Sequence, residues 1–293
     1  MQRHVVLLGK RSYVISLPKQ WVVEHRITKS SLVDVEIDGA SLNIYPPNEV
    51  HEGRSTAINV TGTSPMTKRI LGALYKAGYD ELKITFSTSE EMQACQDIIR
   101  EEFIGFEIVH HGKKSMTARM ILAANSNEFD ALLRRMMHVL ESMTQDLIEA
   151  NKHQDACLLQ TIALRDKDVN KLADYCRRTV SLTRQQHGPL YHVVETLEKI
   201  GDCCKDLCTV QMSSRVLSYY ILVAGVLKEF ISLYHDFSLE KITAFGSTCK
   251  TLHMQGLNMI NTVFGDDSRA VFFILLLLDH VFSMNGPVMV LRL

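Results

Sequence analysis

The apolar periodicity of this chain changes near Ser126, and that change limits the possible folds more than any other feature. From there onward, apolar side chains recur at spacings of three and four, the repeat of one helix face. The first series is Phe129, Leu133, Met136, Leu140, Met143 and Leu147. Further helices are predicted at about 154–185, 189–211, 213–236, 238–263 and 268–284. Because short links favour antiparallel neighbours, residues 125–293 are predicted to form an all-α antiparallel helix bundle.

Residues 1–46 instead alternate between apolar and polar side chains, in the manner of β-strands. A short helix is predicted over 19–25, between two pairs of strands. The predicted strands cover residues 4–8, 12–17, 32–37 and 42–45. A unit of this size buries too little surface to be stable alone, so we expect a second chain to complete its core.

Residues 55–124 alternate in type and are predicted to form a small α/β unit, after a linker that begins at Pro46-Pro47. Helices are expected at 66–77 and 89–103. Strands are expected at 57–60, 81–86, 106–110 and 115–122. The chain is therefore predicted to be an α+β multidomain protein with domains at 1–50, 55–124 and 125–293.

Basic residues are concentrated at the N-terminal end of a chain whose formal net charge is -1. Residues 1–30 contain one acidic residue, Glu24. The basic residues in the same segment are Arg3, Lys10, Arg11, Lys19, Arg26 and Lys29. Such a local excess suits electrostatic docking onto phosphate groups. The alternative is an ordinary solvated surface.

The seven cysteines and the N-terminal sequence favour a reducing compartment. The number of cysteines is odd, and no basic-then-apolar signal sequence opens the chain. The longest apolar run, Ala270–Leu278, is well short of the ~20 residues that span a bilayer. We expect a cytoplasmic protein without an integral membrane segment.

One bundle helix carries an acid where its apolar stripe predicts a core residue. That acid is Asp166, with Asn170 one turn further on, and the next helix places Glu198 and Asp202 on one face. Carboxylates on facing helices can hold a metal ion, and oxygen ligands suit iron, manganese or magnesium better than zinc. Alternatively, the acids form ion pairs with cations at the bundle edge. Those candidate cations are Arg165, Arg177 and Lys205.

The sequence contains no constellation of residues that is typical of an enzyme. It lacks a Gly-rich phosphate loop, a nucleophile elbow and an HExxH motif. Cys203, Cys204 and Cys208 lack CxxC spacing, and core packing is predicted for them rather than metal ligation. A metalloenzyme that uses the bundle acids would need a general base that cannot be named. We therefore expect a protein without catalytic activity.

Residues 3–46 resemble the AbrB/SpoVT swapped-hairpin module. The likeness is clearest in GKRSYVISLPKQWV, residues 9–22, where Leu-Pro-Lys precedes a short helix. The resemblance implies a dimeric β-barrel that binds DNA through basic residues. The residues so implied are Arg3, Lys10, Arg11 and Lys19. The short helix here carries Val22-Val23 where DNA-binding members of the family have basic residues.

Residues 125–293 resemble the PhoU family of phosphate-uptake regulators. The segment LEKIGD (197–202) is close to that family's Leu-Glu-Arg-Ile-Gly-Asp signature, and RDKDVNKL (165–172) resembles its partner motif. The segments ALYKAGYD (73–80) and IGFEI (104–108) resemble archaeal PhoU-like proteins with the same domain order.

The PhoU resemblance also implies a metal site. Acid pairs of that family bind metal ions on the bundle surface, which implies Asp166, Glu198 and Asp202 as ligands of iron, zinc, manganese or magnesium. Asn170 stands where the family pattern has Asp and so removes one negative ligand. The family has two copies of a three-helix unit, but the last three predicted helices (213–284) carry no second acid pair.

The two resemblances together predict a phosphate-responsive regulator. In the leading interpretation, a DNA-binding dimer module is joined to a PhoU-like, metal-binding sensing bundle, and the protein is a transcriptional regulator of phosphate uptake. In the alternative, the N-terminal barrel only forms the homodimer, and the bundle acts on a phosphate transporter or a sensor protein.

Overall fold

The computed structural model describes residues 2–9, 12–38, 41–45, 53–122, 127–182 and 187–293. The chain divides into two compact units, Met1–Arg54 and Ser55–Leu293. Most of the predicted linker, residues 46–52, lies outside the described residues. The second unit contains both the α/β part and the helix bundle, so contacts between those two parts can be followed directly.

The N-terminal unit consists of two antiparallel hairpins and one short helix, α1 (Lys19–Glu24). In the first hairpin Val5 pairs with Ile15, and in the second Val35 pairs with Ile44. The strands are β1 (Val5–Leu8), β2 (Ser12–Ile15), β3 (Asp34–Asp38) and β4 (Ser41–Tyr45). The hairpins belong to separate two-stranded sheets, so no barrel closes within the described residues of one chain. The predicted two-chain barrel stays a prediction.

Among the residues of Met1–Arg54 whose side chains the structure describes, none is buried. The four residues of β1 all remain more than half exposed, from 53% at Leu7 to 65% at Leu8. Tyr13 on β2 is 75% exposed. Apolar side chains on both faces of this hairpin therefore lack the cover that a hydrophobic core would give them.

The second unit begins with a four-stranded sheet covered by two helices. The strands are β5 (Ser55–Asn59), β6 (Glu81–Thr85), β7 (Phe106–His111) and β8 (Ser115–Met120). Their order is β5-β6-β8-β7, with β5 parallel to β6 and the other pairs antiparallel. The helices are α2 (Thr67–Lys76), between β5 and β6, and α3 (Ser89–Glu102), between β6 and β7. The predicted order of strands and helices is confirmed.

The alternation of apolar and polar side chains along the strands determines which face of the sheet packs against the helices. On β6, Leu82 and Ile84 are fully buried, whereas Lys83 between them is exposed. The buried face packs against α2 and α3 through side chains such as Tyr75 and Ile99. A capping box between Thr88 and Glu91 fixes the start of α3, because each residue satisfies a backbone N–H of the other.

The rest of the chain forms the predicted helix bundle. Its first three helices are α4 (Asn127–His153), α5 (Ala156–Leu182) and α6 (His187–Leu207). The next three are α7 (Ser214–His235), α8 (Leu239–Ile260) and α9 (Asp266–Ser283). Within each group of three, every helix packs against the other two. Contacts between α4 and α7 and between α6 and α9 join the two groups. The last three long helices thus form a second three-helix unit even though they lack a second acid pair.

A final short helix, α10 (Asn285–Arg292), was not predicted. The sequence there reads Asn285-Gly286-Pro287, which is typical of a break. Pro287 lies in the first turn of α10, where a missing backbone N–H removes no intrahelical hydrogen bond. The helix then packs against α6 and α9.

Two stretches of the bundle are long and apolar enough to cross a membrane, judged by length and composition. They are Ser214–His235 and Asp266–Arg292. In their most apolar windows, 56% and 44% of the residues are buried inside the protein. Core helices of a bundle have the same composition, so this property is weak evidence for a membrane span.

Arg178 on α5 joins the bundle to the α/β part. Its side chain is 2% exposed, and Nη1 donates to the carbonyl oxygens of Tyr75 at 2.8 Å and Tyr79 at 2.7 Å. Nη2 donates to the Asp80 carboxylate, and the guanidinium lies 5.2 Å from the centre of the Tyr75 ring. Burial lowers the pKa of Arg178, and the charge of Asp80 opposes that shift. The end of α2 is thereby fixed against α5.

Replacing Arg178 by Met should destabilise the protein by about 3–5 kcal/mol, because it takes a buried cation away from Asp80 and from two carbonyl groups. Urea unfolding of the full chain, followed by circular dichroism, measures the loss.

The matched control is Arg100→Met on α3, since Arg100 is exposed and forms no ion pair among the described residues. That change should alter the free energy of unfolding by no more than about 0.5 kcal/mol. Equal losses in the two variants would contradict the role given to Arg178.

Candidate functional site

Asp166 lies on the buried face of α5, where the sequence predicted it, and is 4% exposed. Gly201 on α6 faces this carboxylate. A Cβ atom at position 201 would lie 3.4 Å from Asp166 Oδ1 and 3.0 Å from Val169 Cγ1. The glycine therefore lets α6 approach α5 closely at the level of the acid.

Lys205 on α6 supplies a positive charge to two of the predicted acids. Its Nζ lies 2.7 Å from Asp166 Oδ2 and 2.5 Å from Asp202 Oδ1. Asn170 also donates from Nδ2 to Asp166 Oδ2, at 3.2 Å. Burial disfavours the charged ammonium, but its hydrogen bonds to the two carboxylates outweigh this effect and raise the pKa of Lys205. We call these four residues the Lys205 cluster.

Glu198 belongs to a second group, the Arg177 cluster. The Arg177 side chain is 3% exposed, and Nη1 donates to Asp174 Oδ1 at 2.7 Å. Nη2 lies 2.9 Å from Glu195 Oε2 and also donates to Glu198. Lys76 of α2 reaches Asp174 at 3.2 Å. Burial lowers the pKa of Arg177, but the charges of the three carboxylates outweigh it and leave that pKa raised.

The three predicted metal ligands therefore do not come together: Asp166 and Asp202 share Lys205, whereas Glu198 is bound by Arg177. Across the described ranges, no group of three or more His, Cys, Asp or Glu side chains is placed to hold a metal ion. Asp166 Oδ1 and Asn170 Oδ1 are buried without a hydrogen-bond partner, but two oxygens are fewer than a hard cation takes. As arranged, the donor set does not fit a metal ion, and metal binding stays a prediction from the sequence.

The alternative predicted from the sequence, ion pairing at the bundle edge, holds for Arg177 and Lys205. Arg165 has different partners. Its Nη1 lies 2.5 Å from Asp146 Oδ2 and donates to Ser142 Oγ at 3.0 Å, and both of these residues are on α4. The three candidate cations therefore serve three separate groups of acceptors.

The cysteines near Asp202 pack in the core, as predicted. Cys203 is 2% exposed, and Cys204 is fully buried. Cys208 donates from its thiol to the Cys204 carbonyl oxygen at 3.2 Å. Burial raises the pKa of Cys203 and of Cys208 to about 12, so both remain neutral thiols near pH 7. Neutral thiols are poor metal ligands.

Of the four predicted DNA contacts, the structure describes two. Arg3 and Lys19 are both exposed. Lys10 and Arg11 lie outside the described residues. The assignment of these four residues to DNA stays a prediction.

Three members of the Arg177 cluster were not predicted from the sequence: Asp174, Glu195 and Lys76. One signal was visible: Asp174 precedes Arg177 by three residues, and Glu195 precedes Glu198 by three. Such spacing places each pair on one helix face. It does not reveal that the two faces meet across α5 and α6, because that depends on how the helices pack.

Residues 133–210 match the family model described as the PhoU domain. No curated protein matches the chain. Among solved structures, PhoU from Pseudomonas aeruginosa is 16% identical, with a TM-score of 0.49, over 56% of this chain and 95% of that chain. The phosphate transport system regulatory protein PhoU from Streptococcus pneumoniae is 10% identical, with a TM-score of 0.46, over 57% of this chain and 94% of that chain. The family match covers the Lys205 cluster and those members of the Arg177 cluster that lie on α5 and α6, and over residues 133–210 the chain is PhoU-like.

Proposed function

We propose that this protein is a non-enzymatic regulator of phosphate uptake. The observation that carries the proposal is the PhoU domain match over residues 133–210. It supports the resemblance of LEKIGD (197–202) to the family signature by an independent comparison. The glycine of that segment, Gly201, is the residue that allows α6 to approach α5 at Asp166.

Loss of this protein should change how its host adjusts phosphate uptake to phosphate supply. The measurement is the uptake of radiolabelled phosphate by starved and by replete cells, with and without the gene. A plasmid copy of the gene should restore the wild-type ratio of the two rates, and sulfate uptake serves as the control anion. An unchanged ratio in the deletion strain would contradict the proposal.

The N-terminal unit supports a more specific function, that of a DNA-binding transcriptional regulator. Arg3 and Lys19 are exposed cations in this unit, and Lys10 and Arg11 add two more charges in the same part of the sequence. Lys and Arg contacts to phosphate groups give affinity that is independent of base sequence and falls steeply with salt. Two copies in a dimer would double the number of such contacts.

The double variant Lys10→Gln and Arg11→Gln should bind duplex DNA more weakly and with a flatter salt dependence. Each phosphate that the variant no longer neutralises should reduce the slope of log K against log salt by about 0.9. Fluorescence anisotropy of a labelled duplex over a salt series measures both quantities.

The matched control is Lys113→Gln with Lys114→Gln, an adjacent and exposed pair of cations in the turn between β7 and β8. This variant should bind DNA as the wild type does. If both double variants weaken binding equally, the N-terminal unit is not the DNA-contacting surface. Absence of wild-type binding at low salt would favour the alternative function.

That alternative is a regulator that acts through protein partners and uses its N-terminal unit only to form a homodimer. Two observations favour it. The short helix α1 carries Val22 and Val23 at the positions where a basic residue would be expected to contact DNA. The apolar side chains of β1 and β2 are exposed, as expected of a surface that a second copy covers. In this alternative the bundle binds a phosphate transporter or a sensor protein.

Both functions require a dimer, and Val6→Asp should weaken it by placing a charge among the apolar side chains of β1. Val6 is 55% exposed in the single chain. Sedimentation of the full chain should shift from dimer toward monomer.

The matched control is Val109→Asp on β7, where the valine is 47% exposed in a strand at the edge of the larger sheet. This variant should remain dimeric. A wild-type chain that stays monomeric at micromolar concentration would contradict dimerisation, and so would an effect of equal size in the two variants.

A further inference from the structure

The acid cluster between α5 and α6 contains its own cation. The Asp166 side chain is only 6% exposed, and a carboxylate so buried needs a positive partner to stay ionised. Lys205 provides it, with Nζ at 2.7 Å from Asp166 Oδ2 and 2.5 Å from Asp202 Oδ1. We propose that the Lys205 ammonium takes the place of a metal ion in this PhoU-like bundle, so that the acids of α5 and α6 are held together without metal.

The ammonium and a metal ion would compete for the same oxygens. A hard divalent cation binds carboxylate oxygens at about 2.0–2.6 Å, and one oxygen of each carboxylate in this cluster already accepts from Lys205. Two positive charges on one pair of oxygens repel each other. Binding of metal would therefore require Lys205 to move away from both carboxylates.

Further ligands for a metal ion are also engaged elsewhere. Glu198 is held by Arg177, whose guanidinium is 3% exposed and bonded to three carboxylates. Asn170 turns its Nδ2 donor toward Asp166 Oδ2, which the ammonium already uses. Among the buried side-chain atoms of the cluster, Asp166 Oδ1 and Asn170 Oδ1 lack a hydrogen-bond donor. Removal of the lysine charge therefore takes one donor from each carboxylate and leaves Asn170 Nδ2 as the donor to Asp166 Oδ2.

The proposal predicts that the stability of the wild-type chain does not depend on metal and that Lys205→Met creates a metal site. Met keeps the length of the side chain without its charge. Free Mn²⁺ is measured by electron paramagnetic resonance while the full chain is titrated. The thermal midpoint is measured with a chelator and with excess Mn²⁺.

Lys205→Met should bind Mn²⁺ about tenfold more tightly than the wild type, or better. Its thermal midpoint should rise with Mn²⁺, since a ligand of the native state stabilises it, whereas the wild-type midpoint should not move. The matched control is Lys199→Met on the same helix, because Lys199 is 50% exposed and its ion pair is with Glu195 at 3.9 Å. This variant should behave as the wild type.

Two results would overturn the proposal. One is saturable binding of Mn²⁺ by the wild-type chain that Asp166→Asn removes, and this test holds even if Lys205→Met does not fold. The other is a folded Lys205→Met chain that gains no affinity for Mn²⁺. Both readouts concern metal alone, so either outcome is separate from the tests of phosphate regulation and of DNA binding.

Discussion

The buried guanidinium of Arg178 is the contact on which the larger unit depends. A fully desolvated cation is costly unless its donors are used, and here they are given to Asp80 and to the Tyr75 and Tyr79 carbonyls. These partners lie at the end of α2, so the contact fixes the α/β part against the bundle. The residue before it, Arg177, points about 100° away around α5 and binds acids of α6 instead. Two consecutive arginines thus tie α5 to different neighbours.

The packing of α5 against α6 explains why the predicted metal ligands lie apart. Asp166 lies about three turns before Arg177 on α5, and each contacts a different turn of α6. Asp202 and Lys205 stand opposite Asp166, whereas Glu195 and Glu198 stand opposite Arg177. The acids are therefore distributed between two internal cations. Lys205 and Arg177 supply the positive charge that a bound cation would otherwise provide. They also hold α5 and α6 in register.

The fold followed from the sequence more completely than the site did. Period-two and period-3.6 patterns depend on the chain alone, so the hairpins, the α/β part and the long helices were predictable. The i, i+4 spacing of Glu198 and Asp202 correctly placed both on α6, but it could not say which cation each would meet. Those partners come from α5 or from the next turn of α6. The Arg178–Asp80 pair joins residues 98 apart in the sequence, and no local pattern marks such a pair.

The N-terminal unit is under a different constraint, because none of the side chains that the structure describes in it is buried. An isolated hairpin with Val5, Val6, Leu7 and Leu8 exposed gains little from the hydrophobic effect, so its order has to come from a second surface. A second copy of the chain, related by symmetry, would provide this surface, since the apolar strands of each copy would cover those of the other. Dimerisation would then bring together two sets of the N-terminal cations, and DNA affinity would depend on assembly. If the unit dimerises as proposed, its folding and its DNA binding both depend on the interface between two chains.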